Sequence, residues 1–363
     1  MRKLAVVLIC MSFLQQAFGW GDEGHRAINR AAAGKLPAEM PAFLRGAAER
    51  IEYLGPEPDR WRHQEEFALK NSQEPDHFID LERVADVPQL PPGRYQFYEL
   101  LYEKRAALLA RRSVHPRQGP PPATTGMDLA NPDDLLPERV GLQPYITLEV
   151  YDRLKVAFRE YRYLKSQGQK TEAVEQNIVF YMGWLGHYVG DAANPLHTTV
   201  KYNGWVGDNP NGYTTEHRIH WMMEGPFVGD NLARMPLLGL LQPPAKLQNP
   251  WQDYLAFLWS SHALVEKCYQ LEKTGGFIGE GTAESREFIR RRLAAGAQML
   301  ANMWYTAWKE SEKAVVSGQW PVVSTQDSFQ FPVSGFQMRT GHSTLPLETG
   351  NSKLETGLLN TDH

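Results

Sequence analysis

FYMGWLGHYVGDAANPLH, residues 180–197, is the stretch whose reading decides the fold. Ile178, Met182, Leu185 and Val189 recur at helical spacing, and His187 and Asp191 stand four apart, one turn from each other on one helix face. Asn194 and Pro195 end the helix, because proline lacks the amide donor that the next turn needs. His197 follows at the break. Two imidazoles and a carboxylate gathered at a helix end form half of a zinc site. An ordinary helix C-terminus with a favourable histidine has the same pattern, so the missing ligands must come from elsewhere in the chain.

Candidates lie on both sides. His25, Asp59 and His77 precede the stretch, and His220 and Glu224 follow it, again four apart. A set with only nitrogen and oxygen donors excludes a thiolate site, and several histidines argue against a pure Ca2+ or Mg2+ cage. Zinc fits best. Eight candidate side chains exceed what one tetrahedral ion can use, which suggests a cluster.

The periodicity around these residues predicts an all-α chain. Helices are expected over residues 27–33, 41–53, 97–111 and 146–165, over a helix capped by Thr171 that delivers His187 and Asp191, and over 217–224, 251–271 and 285–313. His77 and Asp80 are expected in a short extended or turn segment, and residues 199–217 in an ordered loop. No repeat and no alternation of strand and helix supports a parallel sheet. The expected organisation is a single helical domain over residues 20–314. It carries a proline-bearing loop insertion at 112–144, read as a functional flap or disorder, and is followed by a low-periodicity tail at 315–363.

The first 19 residues read as a secretory signal peptide: Arg2 and Lys3, an apolar run from Leu4 to Leu14, then Ala17 and Gly19 at cleavage spacing. The run is too short to span a bilayer. With Arg2 and Lys3 gone, the net charge of -4 becomes -6, so no overall field draws the chain to nucleic acid. Only Cys268 then remains, which excludes an intramolecular disulfide.

In family order, these landmarks resemble the zinc-dependent S1/P1 nuclease and phospholipase C superfamily. The mature start WGxxGH stands at Trp20 to His25, D-x-x-R at Asp59 to Arg62, HFxD at His77 to Asp80, HxxGDxxxPLH at His187 to His197, and H-x-x-x-[DE] at His220 to Glu224. The resemblance implies three zinc ions. One would be held by Asp59, His77, His187 and Asp191, a second by His197, His220 and Glu224, and a third by His25 with the amine and carbonyl of Trp20, while Asp191 bridges two ions. It also implies catalytic roles for Asp59, Asp191 and Arg62, and base stacking and base-edge recognition by Phe78 and Asp80. Arg62 could otherwise be a surface ion-pair partner, Phe78 a dry wall beside its ligand, and Asp80 an orienter of His77. His63, His115, His217 and His262 are not expected to ligate.

Two branches share this chemistry. The short step from Trp20 to His25 and the long loop between His197 and His220 resemble the nuclease branch, whereas Glu224, in place of the usual aspartate, resembles the phospholipase branch. Ala193 and Thr199 depart from the phospholipase signature. The leading expectation is a secreted or periplasmic S1/P1-type endonuclease and 3'-nucleotidase, a monomer without a stable protein partner, acting on single-stranded DNA or RNA. The alternatives are a zinc-dependent phospholipase C acting on phospholipid, and a zinc-bound exported binding protein.

Overall fold

A computed structural model describes residues 20–114 and 131–312. The chain opens with α1 (Gly21–Ala33), the short helices α2 (Phe43–Gly46), α3 (Ala48–Tyr53), α4 (Glu57–Arg60) and α5 (Phe67–Gln73), and a 3-10 turn over Glu74–His77. α6 (Arg94–Val114) and α7 (Pro137–Val140) flank the undescribed residues 115–130, and α8 (Gln143–Ser166) and α9 (Glu172–Ala193) follow. After a 3-10 turn at Pro195–Thr198 come α10 (Ile219–Met222), a π-helical turn at Met223–Phe227 and α11 (Val228–Asn231). α12 (Pro250–His262), α13 (Val265–Lys273) and α14 (Ala283–Glu310) complete the order. The described residues contain no strand, so the all-α expectation holds for them. None of their helices is long and apolar enough to cross a membrane. The expected signal peptide at 1–19 and tail at 315–363 lie outside the described residues.

α9 is the axis of this arrangement. From Leu185 to Ala193 every residue is buried, so this half of the helix is enclosed on all sides, by α1, α3, α8, α12 and α14. Side chains such as Met182, Leu185 and Val189 are each worth roughly 1.5–3 kcal/mol relative to exposure. α8 meets α9 through a short turn in which Gly168, at φ +64, takes the left-handed conformation that ends a helix, with Gln169 N–H returning to Leu164 O at 2.9 Å. Arg292 of α14 donates through Nε to Ala193 O at 2.8 Å, satisfying a carbonyl that the end of α9 leaves open.

Glycines let α1 and α3 approach α9 closely. At Gly186 an added Cβ would lie 1.7 Å from Asn29 Oδ1, and at Gly183 one would lie 2.3 Å from Leu54 Cβ. The buried Asn29 amide donates to Ile51 O at 2.8 Å and Gly183 O at 3.1 Å, tying the three helices together.

Several expected boundaries differ. α1 begins at Gly21 instead of residue 27, with Asp22 and Glu23 in its first turn favouring the dipole, so His25 lies inside the helix. The helix expected over 41–53 breaks at Ala47, and the one over 251–271 breaks at Ala263 and Leu264; periodicity continues across both breaks, so it could not reveal them. Thr171 makes no side-chain cap to the backbone and bonds instead to Glu175 Oε1 at 2.8 Å. Within the expected insertion, residues 131–144 form a 3-10 turn at Pro132–Leu135, α7 and the start of α8, with Leu135 and Val140 buried. In this part the apolar side chains of Leu135 and Val140 join the core.

One prediction tests the glycine contact. Helix propensity alone makes Gly186→Ala stabilising by about 1 kcal/mol, whereas the clash with Asn29 makes it destabilising by about 1–3 kcal/mol. Thermal melts of the two proteins decide the sign.

Candidate metal centre

The ligand candidates arrive from separate elements. His25 comes from α1, Asp59 from α4, His77 from the end of the Glu74–His77 turn, His187 and Asp191 from α9, His197 from the Pro195–Thr198 turn, His220 from α10 and Glu224 from the π-helical turn. In that last turn Pro226 has no amide N–H with which to continue an α-helical ladder, and the chain widens to a π-turn. None of the eight residues is more than 6% exposed. Burying so many polar and ionisable groups is costly unless each is paired or bound to a metal.

The structure gathers them into three groups: His25, Asp59 and His187; His77, His187 and Asp191; and His197, His220 and Glu224, with the ligand atoms of each group all within 4.8 Å of one another. Asp191 stands between groups and divides its oxygens. Oδ2 lies 3.1 Å from His77 Nδ1 and 3.3 Å from His187 Nε2, while Oδ1 faces His25 Nε2 at 3.4 Å and His197 Nδ1 at 3.7 Å. In the third group Glu224 Oε1 lies 3.0 Å from His197 Nε2 and 2.8 Å from His220 Nε2.

These groups fit metal. Buried His25 Nδ1 and Nε2, Asp59 Oδ2, His77 Nε2, Asp191 Oδ1, His220 Nδ1 and Glu224 Oε2 have no hydrogen-bond partner. Ring nitrogens also face each other, His187 Nε2 and His77 Nδ1 at 3.0 Å and His197 Nε2 and His220 Nε2 at 3.1 Å, and such pairs need a proton or a cation between them. His187 Nδ1 is bonded to Gly55 O at 2.9 Å and His197 Nδ1 to His77 O at 2.7 Å, which turns each Nε2 toward its group. The three His and carboxylate clusters are consistent with three zinc sites.

The charges are balanced to match. Burial would raise Asp191, but His187 and His197 outweigh it and hold the carboxyl well below its ordinary range. Burial likewise opposes the charged form of Asp59, and His187 and His77 overcome it. Burial, then Arg62, push His77 down to about 4, and burial with His187 lowers His25. Against the cost of burial, Asp191 and Glu224 lift His197 to about 9, and Asp191 and Asp59 lift His187.

A cavity of about 530 Å3 opens over His77, His197 and His220. Arg62, its side chain only 14% exposed, lines the cavity, with Nη1 at 3.4 Å from Asp59 Oδ1, Nη2 at 3.7 Å from Glu74 Oε1 and a buried Nε that has no partner. It is therefore no mere surface ion-pair residue. Phe78 and Asp80 also line the cavity. Burial pushes Asp80 up to about 7 against the pull of Arg83, whose Nε donates to its Oδ2 at 3.3 Å. Arg83 continues to Asp134 at 3.4 Å, and Arg139 meets Asp134 at 3.4 Å. Trp20 is fully buried; its Nε1 donates to Gly190 O at 2.7 Å, and its carbonyl accepts from Gly24 N–H at 3.2 Å, closing the first turn of α1. Its neighbour in the resemblance, His25, is placed with Asp59 and His187. His63, His217 and His262 belong to none of the three groups, and His115 lies outside the described residues.

Sequence reasoning missed the sharing of His187 between two groups, the contact of Asn194 with Glu224, and the wall formed by Asp134, Glu138 and Arg139. The dense charge of residues 131–139 was the one signal for that wall, and proline-rich flanks disguised it as a loop.

No family model and no curated protein matches the chain. Among solved structures, it is similar to the alpha-toxin of Clostridium perfringens from avian strain SWCP, at 12% identity and a TM-score of 0.34, over 83% of this chain and 67% of the toxin. The nuclease and endonuclease expectation, with single-stranded nucleic acid or 3'-nucleotides as partner, is corrected here. The three candidate zinc sites support a zinc-dependent hydrolase, and nothing nuclease-specific accompanies them.

Two predictions follow from the geometry. Asp191→Asn should lower zinc content by about two ions per chain, and His220→Ala by about one, as counted by elemental analysis after dialysis; equal losses would contradict the bridging position of Asp191. For the metal-free chain, a His197 raised from 6.5 to about 9 adds stability below pH 6.5 that is lost as pH rises through 9. Zinc must displace that proton. The zinc-induced rise in melting temperature should accordingly be larger at pH 8.5 than at pH 6.5, and a smaller rise at the higher pH would contradict it.

Proposed function

We propose that this chain is a zinc-dependent phosphodiesterase of phospholipase C type, hydrolysing the ester between a glycerol oxygen and a phosphorylated headgroup. The observation that carries the reading is the cavity itself. Over the imidazoles of His77, His197 and His220 it sets Arg62 beside two aromatic rings, Phe78 and Tyr202, and the carboxylates of Glu74 and Glu138, with Asp80 and Asp134 paired to Arg83 and Arg139 on the same wall. Cation, ring and carboxylate together suit a phosphate joined to an amine-bearing group. Glu224 at the last ligand position, the feature resembling the phospholipase branch, agrees.

Zinc held by the three groups would supply the Lewis acid that lowers the pKa of an attacking water and polarises the phosphate. The chain's own residues do the rest. Arg62, tethered by Asp59 and Glu74, can aim paired N–H groups at phosphate oxygens, where charge accumulates in the transition state. Asp59, held ionised by His187 and His77, fixes Arg62 through Oδ1, and the attacking water gives up its proton to solvent in the cavity as its oxygen bonds to phosphorus. The bond from phosphorus to the glycerol oxygen breaks, and that oxygen takes up a proton.

The reading is tested by incubating zinc-loaded protein with short-chain phosphatidylcholine and measuring released phosphocholine. Turnover that chelator abolishes and zinc restores is expected, with Arg62→Met lowering kcat by about 10²-fold at unchanged zinc content. Absence of phosphocholine release, or degradation of single-stranded DNA in its place, would overturn the proposal.

A further inference from the structure

Asn194 does more than end α9. Its backbone N–H donates to Asp191 O at 2.9 Å, and its carbonyl accepts from His197 N–H at 3.1 Å, so the residue joins the ligands of two groups through the main chain. Its side chain is fully buried. Oδ1 accepts from Leu196 N–H at 3.0 Å, and because a backbone N–H can only donate, this bond settles which way the amide is turned. Nδ2 must then face Glu224, where it donates to Oε1. That oxygen is the one that also faces His197 Nε2 and His220 Nε2, while Oε2 has no partner.

We propose that Asn194 is a positioning residue for the third zinc group, selecting and orienting the Glu224 oxygen that ligates. A glutamate carboxylate turns broadly about its last torsion, so its two oxygens are interchangeable until a donor distinguishes them. Asn194 is that donor, and its rotamer is locked by the cap it makes with Leu196. The Pro195 that follows holds the turn, so the amide cannot drift from Glu224 without opening the cap. The proposal rests on the third group holding zinc and not on the substrate reading.

Two substitutions separate capping from positioning. Asn194→Ser keeps an oxygen that can cap Leu196 N–H but is too short to reach Glu224; Asn194→Ala loses both. Zinc retained against a competing chelator should show one of three ions weakened ten- to hundredfold in both variants. The d–d spectrum of the cobalt-substituted proteins should change, while far-UV circular dichroism of the metal-free Asn194→Ser chain matches the parent. Wild-type zinc retention and cobalt spectrum in Asn194→Ser, whether or not Asn194→Ala is impaired, would reduce Asn194 to a cap and overturn the proposal.

Discussion

The structure depends on the buried carboxylate of Asp191, whose two oxygens face different histidines. A charge placed in the buried last turn of a helix costs several kcal/mol unless it is compensated. The charge is offset chiefly by His187 and His197, while His25 and His77 also face its oxygens, and the four come from separate stretches of chain, which makes the site and the core one construction. The last turns of α9 are buried on every side, yet Asp191 Oδ1 and both ring nitrogens of neighbouring His25 are left without hydrogen-bond partners in the protein. Metal is the agent that resolves that conflict, and binding it would feed directly into folding stability.

This dependence explains the fold's smaller features. Glycines at 183, 186 and 190 thin α9 where α1 and α3 press against it, bringing His25 and the Gly55 carbonyl within reach of His187. Arg292 completes the open carbonyl at the end of α9, and the Asn194–Pro195 break then turns His197 back toward His77 O. The π-turn at Met223–Phe227 delivers Glu224 to the same place from the opposite direction. Each device is local, and each sets the direction of a ligand.

Much of this was legible in the sequence, for identifiable reasons. His187 and Asp191 on one helical face follow from a four-residue spacing, and the helical class from periodicity, neither of which needs tertiary information. The partition of ligands was less legible. Spacing says that His25 is near a metal, but only packing shows it stacked on His187 with ring centroids 4.0 Å apart and grouped with Asp59. Asn194 was visible as a stop signal, whereas its hydrogen bond to Glu224 spans 30 positions and leaves no periodic trace. The wall at 131–139 was hidden by prolines that here begin short helices instead of forming a loop. Substrate preference was least legible of all, because the cavity wall is assembled from residues as far apart in the sequence as Arg62, Glu138 and Tyr202.

The central claim is that three ions sit around one helix end, two of them flanking Asp191. Anomalous diffraction from crystals of the zinc-loaded protein, recorded on both sides of the zinc edge, tests it most directly. Three peaks are expected, one within each triad, with the peaks nearest Asp191 on opposite sides of its carboxylate. A single peak, or peaks confined to His197, His220 and Glu224, would contradict the account.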